Sequence, residues 1–471
     1  MYKFCRISLT GIALVFTLAS LGRGAAKTAA PVKPTPVPKV LTIVAGQPFE
    51  APPTCGPAKI ALTMCAEETA PATFTARSSK RLEAVSVACS DLVGPGKIAK
   101  QNVSVKLVRG IDLLPCAGLT LDSLPMQFWI DVTVPKGTKP GLYKGSIVFF
   151  ANGKQFDTAP IEVTVRPLRL IGSSKQYALY TSIRRDVSGS SGLCGNEYGQ
   201  FLNKVAQMGF RAVSVGGDPE EAGAALDECA SAGLTGVAPV LTFALDASVP
   251  AIEDVRTVET TRKAARIPGA FYFCADKPST EADVQLALNK AAVLRQSGVQ
   301  VAVTVSDEAA VEKLLPVVDG INYEVSMPYV QALVNGGTSR TNKWEWYWWD
   351  ARRSVDDNRI NAGIRLWRSG LYGCMPMWMP RGEGDRADNL DSLLCEALRE
   401  GVNDTRYITT YMKALRELKD KKRASDKDYI AFTEAYLASF MAKPLDKITP
   451  ADLRAFRANM AEFSTKLAAR L

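Results

Sequence analysis

Two hydrophobic rhythms divide this chain. Between about residues 40 and 168, apolar and polar positions alternate in short runs, among them Val103–Leu107, Gln127–Val134, Gly145–Phe150 and Ile161–Val165. Gly and Pro separate these runs, and a period of two is that of a strand with one buried face. Ala151-Asn152-Gly153-Lys154 predicts a tight hairpin, because Asn-Gly accepts the positive φ angles such a turn requires. The expectation is an all-β sandwich of immunoglobulin-like type over residues 40–170.

From Gln176 the rhythm changes to apolar runs alternating with amphipathic stretches. The runs are Tyr177–Ile183, Ala212–Gly216, Val237–Phe243, Ala270–Ala275, Val299–Val305, Gly320–Val325, Trp344–Trp349 and Gly373–Met379. Between them lie stretches of helical period such as Glu197–Met208, Glu220–Ala232, Glu281–Gln296 and Glu308–Val317. Eight strands buried on both faces, with helices between them, predict a (β/α)8 TIM barrel over residues 175–424. An open doubly wound sheet is the competing arrangement, but no Gly-rich phosphate loop follows the first strand. No cofactor is expected. A helix from about Leu390 to Lys422 should close the barrel. Helices at Lys427–Met441 and after Thr449-Pro450 then form a C-terminal extension, 425–471, expected to pack against the barrel's outside.

The chain starts differently. Lys3 and Arg6 precede an apolar run from Ile7 to Leu21, and Gly24-Ala25-Ala26 offers a cleavage site, so residues 1–26 read as an export signal. The Pro-rich stretch Pro31–Pro38 lies in a linker, 27–39. The expected location is outside the cytoplasm: periplasm, cell surface or medium. No membrane association beyond that signal is expected, and oligomeric state is left open.

At 471 residues and 47% hydrophobic, the chain has enough apolar sequence for two or three domains. Formal net charge is +9, and removing residues 1–26 leaves +6. The basic residues are scattered rather than striped, so no nucleic-acid partner is expected. Ten cysteines occur without any CxxC spacing. Cys55, Cys65, Cys89 and Cys116 could pair after export, whereas Cys229, Cys274, Cys374 and Cys395 sit in apolar patterns that suit buried thiols. There is no histidine. That removes His-based triads, His-ligated zinc and a histidine base, leaving carboxylates, Lys, Tyr or a group on the substrate. No metal site is expected.

A barrel works at the carboxyl ends of its strands. Those ends bring up Asp218, Asp246, Asp276 with Lys277, Asp307 with Glu308, Glu324, Asp350, and a loop with Arg381, Glu383 and Asp385. Asp218, Asp246 and Asp307 stand where helix N-caps belong, and capping explains them. Asp276 and Glu324 are harder to explain that way. Six of the seven tryptophans fall between Trp344 and Trp378. Aromatic faces stack on the C–H surfaces of sugars, so Tyr347, Trp348, Trp349 and Trp378, with Arg381, are the expected binding walls.

Three stretches resemble glycoside hydrolase family 123. They are Pro135–Gly145, with its Pro-Gly-x-Tyr-x-Gly turn, Ile364–Gly373, and Glu396-Ala397-Leu398-Arg399-Glu400-Gly401-Val402-Asn403-Asp404-Thr405-Arg406-Tyr407, the most specific of the three. The resemblance implies an exported hydrolase of N-acetylgalactosaminides with a substrate-assisted mechanism. In such a mechanism the sugar's acetamido oxygen attacks its own anomeric carbon, an Asp steadies the acetamido group, and the next residue, a Glu, protonates the leaving oxygen. Carried onto this chain, the Asp is Asp276 and the Glu is replaced by Lys277. Lysine, with an ordinary pKa of about 10.4, is a fixed cation rather than a general acid tuned near neutrality. The expectation is therefore a carbohydrate-active protein binding a glycan or amino sugar, its catalysis put in question by Lys277. Two alternatives stand beside it: an active glycosidase using Glu324 or Asp350 as the acid, and a non-catalytic glycan-binding or structural surface protein.

Overall fold

A computed structural model describes residues 40–471 except 182, 184–192, 194–195, 246, 340 and 379–389. The expected export signal and linker, and Asp246, Arg381, Glu383 and Asp385, lie outside the described residues. No described helix is long and apolar enough to cross a membrane.

The first region is a sandwich of two sheets. One orders its strands Leu41–Gly46, Thr69–Ser78, Met126–Thr133, Val103–Arg109 and Asp112–Pro115. The other orders Ile60–Ala66, Lys154–Arg169, Gly141–Ala151, Leu82–Cys89 and Leu119–Leu121, with two short strands beside them. Their inward residues, Phe74, Phe128 and Phe149 among them, fill one core. The hairpin turns at Asn152 (φ 49°) and Gly153 (φ 74°), as that dipeptide requires. The expected cysteine pairing does not occur. Cys65 faces the Tyr407 hydroxyl, Cys89 and Cys116 sit in the sandwich core, and Cys55 is exposed, all as free thiols.

The second region is the barrel. Its parallel strands are β1 (Gln176–Thr181), β2 (Ala212–Val213), β3 (Ala238–Val240), β4 (Ala270–Asp276), β5 (Gln300–Val305), β6 (Gly320–Glu324), β7 (Trp344–Trp348) and β8 (Gly373–Cys374). Hydrogen bonding runs in the order β2-β1-β8-β7-β6-β5-β4-β3, and a bridge between Val215 and Val240 closes the ring. Strand residues alternate between two apolar layers. Phe271, Phe273, Trp346 and Trp348 point inward, while Tyr272, Cys274, Tyr347 and Trp349 pack between strands and helices.

The helix Leu393–Asp420 closes the barrel and also touches the sandwich, where Asp112 and Ser392 form a β-bridge. The C-terminal helices Lys427–Ala442 and Pro450–Ala468 pack in a third core that joins the closing helix to Ile360, Ile364 and Trp367 on the barrel's outside, where Arg368 donates to the Phe440 carbonyl. Thr449 caps the last helix in a reciprocal pair with Asp452, with Pro450 at its first turn.

The three family-like stretches have structural jobs. Tyr143 donates its hydroxyl to the Lys139 carbonyl, and a side chain at Gly145 would collide with Leu92. Gly363, at an irregular turn, lies against Gly401 of the closing helix, so close that a Cβ on Gly401 would meet Ala362 at 2.7 Å. The stretch Glu396–Tyr407 binds barrel to sandwich: Arg399 pairs with Asp131 at 2.6 Å, and Tyr407 donates to Glu68.

Candidate functional site at the barrel mouth

Strand β4 decides what reaches the barrel's open end. Phe271 and Phe273 point inward, and a regular strand would next bring Ala275 and Lys277 inward. Instead the register shifts between Phe273 and Ala275, so that Phe273 pairs with Ala302 and Asp276 with Thr304. This β-bulge turns both Cys274 and Ala275 to the outer layer and re-aims Asp276 into the barrel. Lys277 then adopts φ 56°, a left-handed conformation costing on the order of 1–3 kcal/mol in a residue with a Cβ. Its backbone N–H is held by the Thr304 carbonyl at 2.9 Å.

The Asp276 side chain is 17% exposed. Its Oδ1 is buried and meets no hydrogen-bond donor among the described residues, and the same holds for an acceptor or donor at the Tyr180 hydroxyl and a donor at Asn322 Oδ1. Registers Asp276–Thr304 and Thr304–Asn322 put these groups at one level of the barrel, with Tyr180 opposite on β1. Among the described residues, Asn322 Nδ2 reaches Thr304 Oγ1 at a long 3.5 Å. Burial raises the Asp276 pKa above its usual value, opposed by the charge of Lys277 and by the Tyr180 hydroxyl. Burial and the Asp276 charge in turn push the Tyr180 phenol up. Buried polar atoms cost free energy when unpaired, so a cluster of them inside a barrel mouth is suited to a polar ligand.

Lys277 leans over this cluster. Its Nζ lies 4.6 Å from the centre of the Trp348 ring, 3.6 Å from Met377 Sδ and 3.9 Å from Asp276 Oδ2. Trp348 is anchored by its Nε1 donating to the Val305 carbonyl. Glu324 pairs in register with Trp348 and accepts a hydrogen bond from Ser326 at 2.9 Å.

The remaining expected residues fall elsewhere. Asp350 spends one oxygen on the backbone N–H of Arg352 and the other on Arg353, both at 3.0 Å, and so holds a turn. Tyr347, Trp349 and Trp378 are corrected from binding walls to packing residues, for all three lie in the layer between strands and helices. Tyr347 donates to the Asn361 carbonyl, Trp349 to Asn358 Oδ1, and Arg352 stacks on Trp378. For Tyr347 and Trp349 the reason is parity: next to an inward Trp348, the adjacent positions along the strand must face out. Asp218 and Asp307 are indeed helix caps, accepting from the backbone of Glu221 and Ala310. Glu345, another buried carboxylate, is satisfied by Tyr329 and Ser339. Tyr180, Thr304 and Asn322 escaped sequence reasoning. Their signal is a polar atom inside an apolar strand run, at inward parity.

No family model matches the chain, and no curated relative does. Among solved structures it is similar to a family 123 glycoside hydrolase from Clostridium perfringens, described for glycolipid glycan hydrolysis. That likeness has a TM-score of 0.62 at 10% identity and covers 92% of this chain and 99% of the other. A family 39 glycoside hydrolase from Bacteroides cellulosilyticus WH2 gives a TM-score of 0.33 at 12% identity over 74% of this chain and 82% of its own. A Bacteroides ovatus GH5 xyloglucanase gives 0.29 at 10% identity over 77% of this chain and all of its own. The last two superpose too loosely to argue from. The likeness to family 123, suggested by the sequence motifs, is thus a likeness of fold that spans sandwich, barrel and closing helices.

Proposed function

We propose that this chain is an exported carbohydrate-binding protein on a glycoside-hydrolase scaffold, holding an amino sugar at the barrel mouth without cleaving it. The observation that carries the reading is Lys277, standing directly after Asp276 where the resemblance expects a general acid. Its ammonium lies over the Trp348 ring, beside Met377 and 3.9 Å from Asp276, in the place of that acid. A positioned acid contributes typically 10²–10⁴-fold, so its loss alone removes roughly that much rate. Asp276 retains a role that needs no proton transfer. Its buried, unpaired Oδ1 accepts a hydrogen bond from an acetamido N–H, and Tyr180 and Asn322 supply further polar contacts to the ring substituents.

Titration with N-acetylgalactosamine should give heat, and Asp276→Ala should abolish it, while an aryl N-acetylgalactosaminide should remain uncleaved. Absence of heat across a broad glycan array would sink the reading. Lys277→Glu should then restore measurable cleavage if the acid is the missing part. A second reading is favoured by Glu324, a carboxylate beside Trp348 at the strand end. Turnover by the unmodified protein that disappears in Glu324→Gln would move the chemistry there.

A further inference from the structure

Resting on the glycan reading, the geometry points to a narrower ligand class: we infer that the saccharide held at the barrel mouth carries an anionic substituent, a carboxylate or a sulfate, which Lys277 receives. An ammonium has three donors and wants oxygen acceptors. Among the described residues, the Lys277 Nζ has none within hydrogen-bond distance. Its nearest carboxylate oxygen is 3.9 Å away, its one shorter polar contact is the Met377 sulfur, and it rests otherwise on the Trp348 ring. A lysine side chain 30% exposed, at the rim of a mouth walled by an aromatic ring, is poorly solvated and poorly paired. An anion arriving there replaces weak partners by a charge-assisted hydrogen bond.

The neighbouring carboxylates do not oppose this. Asp276 stands 3.9 Å from the Lys277 ammonium, and burial works against its ionised form, which weakens its hold on that cation. Glu324 is engaged by Ser326 and makes no ion pair with Lys277 among the described residues. The Lys277 side chain reaches over the mouth, its Nζ 4.6 Å from the Trp348 ring centre and 3.6 Å from Met377 Sδ. Lysine also covers the Trp348 face, so a neutral sugar that stacks on the ring must first displace a cation–π contact. Lys277 therefore selects in two ways, attracting charge and penalising its absence.

The test is calorimetric titration of the unmodified protein, Lys277→Gln and Lys277→Arg with three probes. These are N-acetylgalactosamine, its 6-O-sulfate, and a disaccharide of glucuronic acid and N-acetylgalactosamine. The expected result is at least a roughly tenfold tighter Kd for one charged probe over the neutral sugar, about 1.4 kcal/mol, the winning probe telling sulfate from carboxylate. Lys277→Gln should erase that gap and bind the neutral sugar more tightly, while Lys277→Arg keeps the gap and shows that the charge is responsible. The gap should also narrow as salt is raised. Equal affinity for charged and neutral probes, or a preference that survives Lys277→Gln, overturns the inference and leaves the glycan reading standing. Failure of all three probes to bind overturns the glycan reading itself and this inference with it.

Discussion

Two regions of this molecule bury charged and polar side chains, and they treat them in opposite ways. Where the sandwich meets the closing helix, Arg457 lies between Glu400, at 2.6 Å, and Asp404, whose other oxygen takes Arg359 at 3.0 Å. Alongside, Arg399 joins Asp131 and Glu396, and Asp391 holds Lys106 and Lys204, each at 2.8 Å. Each of these charges sits beside one of opposite sign. The Arg399 Nε left over there belongs to a group already paired through its other nitrogen. At the barrel mouth, the Tyr180 hydroxyl, Asp276 Oδ1 and Asn322 Oδ1 meet no hydrogen-bond partner among the described residues, and the contacts their groups do make are long, 3.9 Å to Lys277 for Asp276 and 3.5 Å to Thr304 for Asn322. Paired burial fixes geometry and is its own explanation. Unpaired burial, concentrated in one layer, asks for a ligand.

The contrast is broken most severely by removing a junction charge. Arg457→Ala leaves buried Glu400 without its cation and Asp404 with Arg359 alone, and should destabilise the fold by about 3–5 kcal/mol in denaturant titrations. Saccharide binding by the folded fraction should be unchanged. A small loss would mean that the junction charges are solvated and the contrast is false.

A matched pair of hydroxyl deletions is the sharper test. Tyr407→Phe strips a donor from buried Glu68, at 2.8 Å, and should cost about 1–3 kcal/mol. Tyr180→Phe removes a hydroxyl that meets no hydrogen-bond partner among the described residues, and should leave stability unchanged or improved by up to about 1 kcal/mol while weakening saccharide binding. Equal losses in the two variants would erase the distinction.

Asp276→Asn should likewise hold or raise stability at neutral pH, with affinity for N-acetylgalactosamine reduced roughly tenfold. Its pH dependence follows from the direction of the shift. Burial holds the folded value above the unfolded one, so the stability contributed by protonated Asp276 is full below the ordinary carboxylate range and is lost as pH rises through the folded value. The asparagine variant should flatten that part of the curve.

The smallest effect separates carboxylates within the junction. Glu396 is raised by burial, with Arg399 opposing and Asp131 adding to the rise, so its contribution also fades as pH climbs. Asp391 behaves oppositely. Burial works against its ionised form, but hydrogen bonds from Lys106 and Lys204 outweigh it, and its contribution is lost as pH falls through the lowered value. Glu396→Gln should therefore flatten the alkaline side of a stability profile between about pH 5 and about pH 9, and Asp391→Asn should lower stability above its own range.

Much of the architecture was legible because it rests on local periodicity. The helix expected at Glu281–Gln296 has those bounds, and the runs expected as barrel strands all take part in the ring. Asp218 and Asp307 were legible as caps for the same reason, since a cap is a matter of neighbours in sequence. The site was less legible. Alternation along Trp344–Trp349 splits the aromatics into two faces but does not say which face is the barrel's interior. That choice placed Trp348 at the mouth and sent Tyr347 and Trp349 into the helix layer. The bulge in β4 was not legible at all, for one extra residue in an apolar strand leaves the hydrophobic pattern intact.

The sequence by itself determined the order of domains, the absence of histidine chemistry, and the adjacency of Asp276 to a lysine, because composition and covalent neighbours need no fold. Only the tertiary structure decided that Asp276 points inward and that Lys277 lies across Trp348. It also showed that the Glu396–Tyr407 stretch clamps barrel to sandwich. Those facts depend on register between strands distant in the chain, and on which charges meet across an interface, and neither is encoded in any local window of residues.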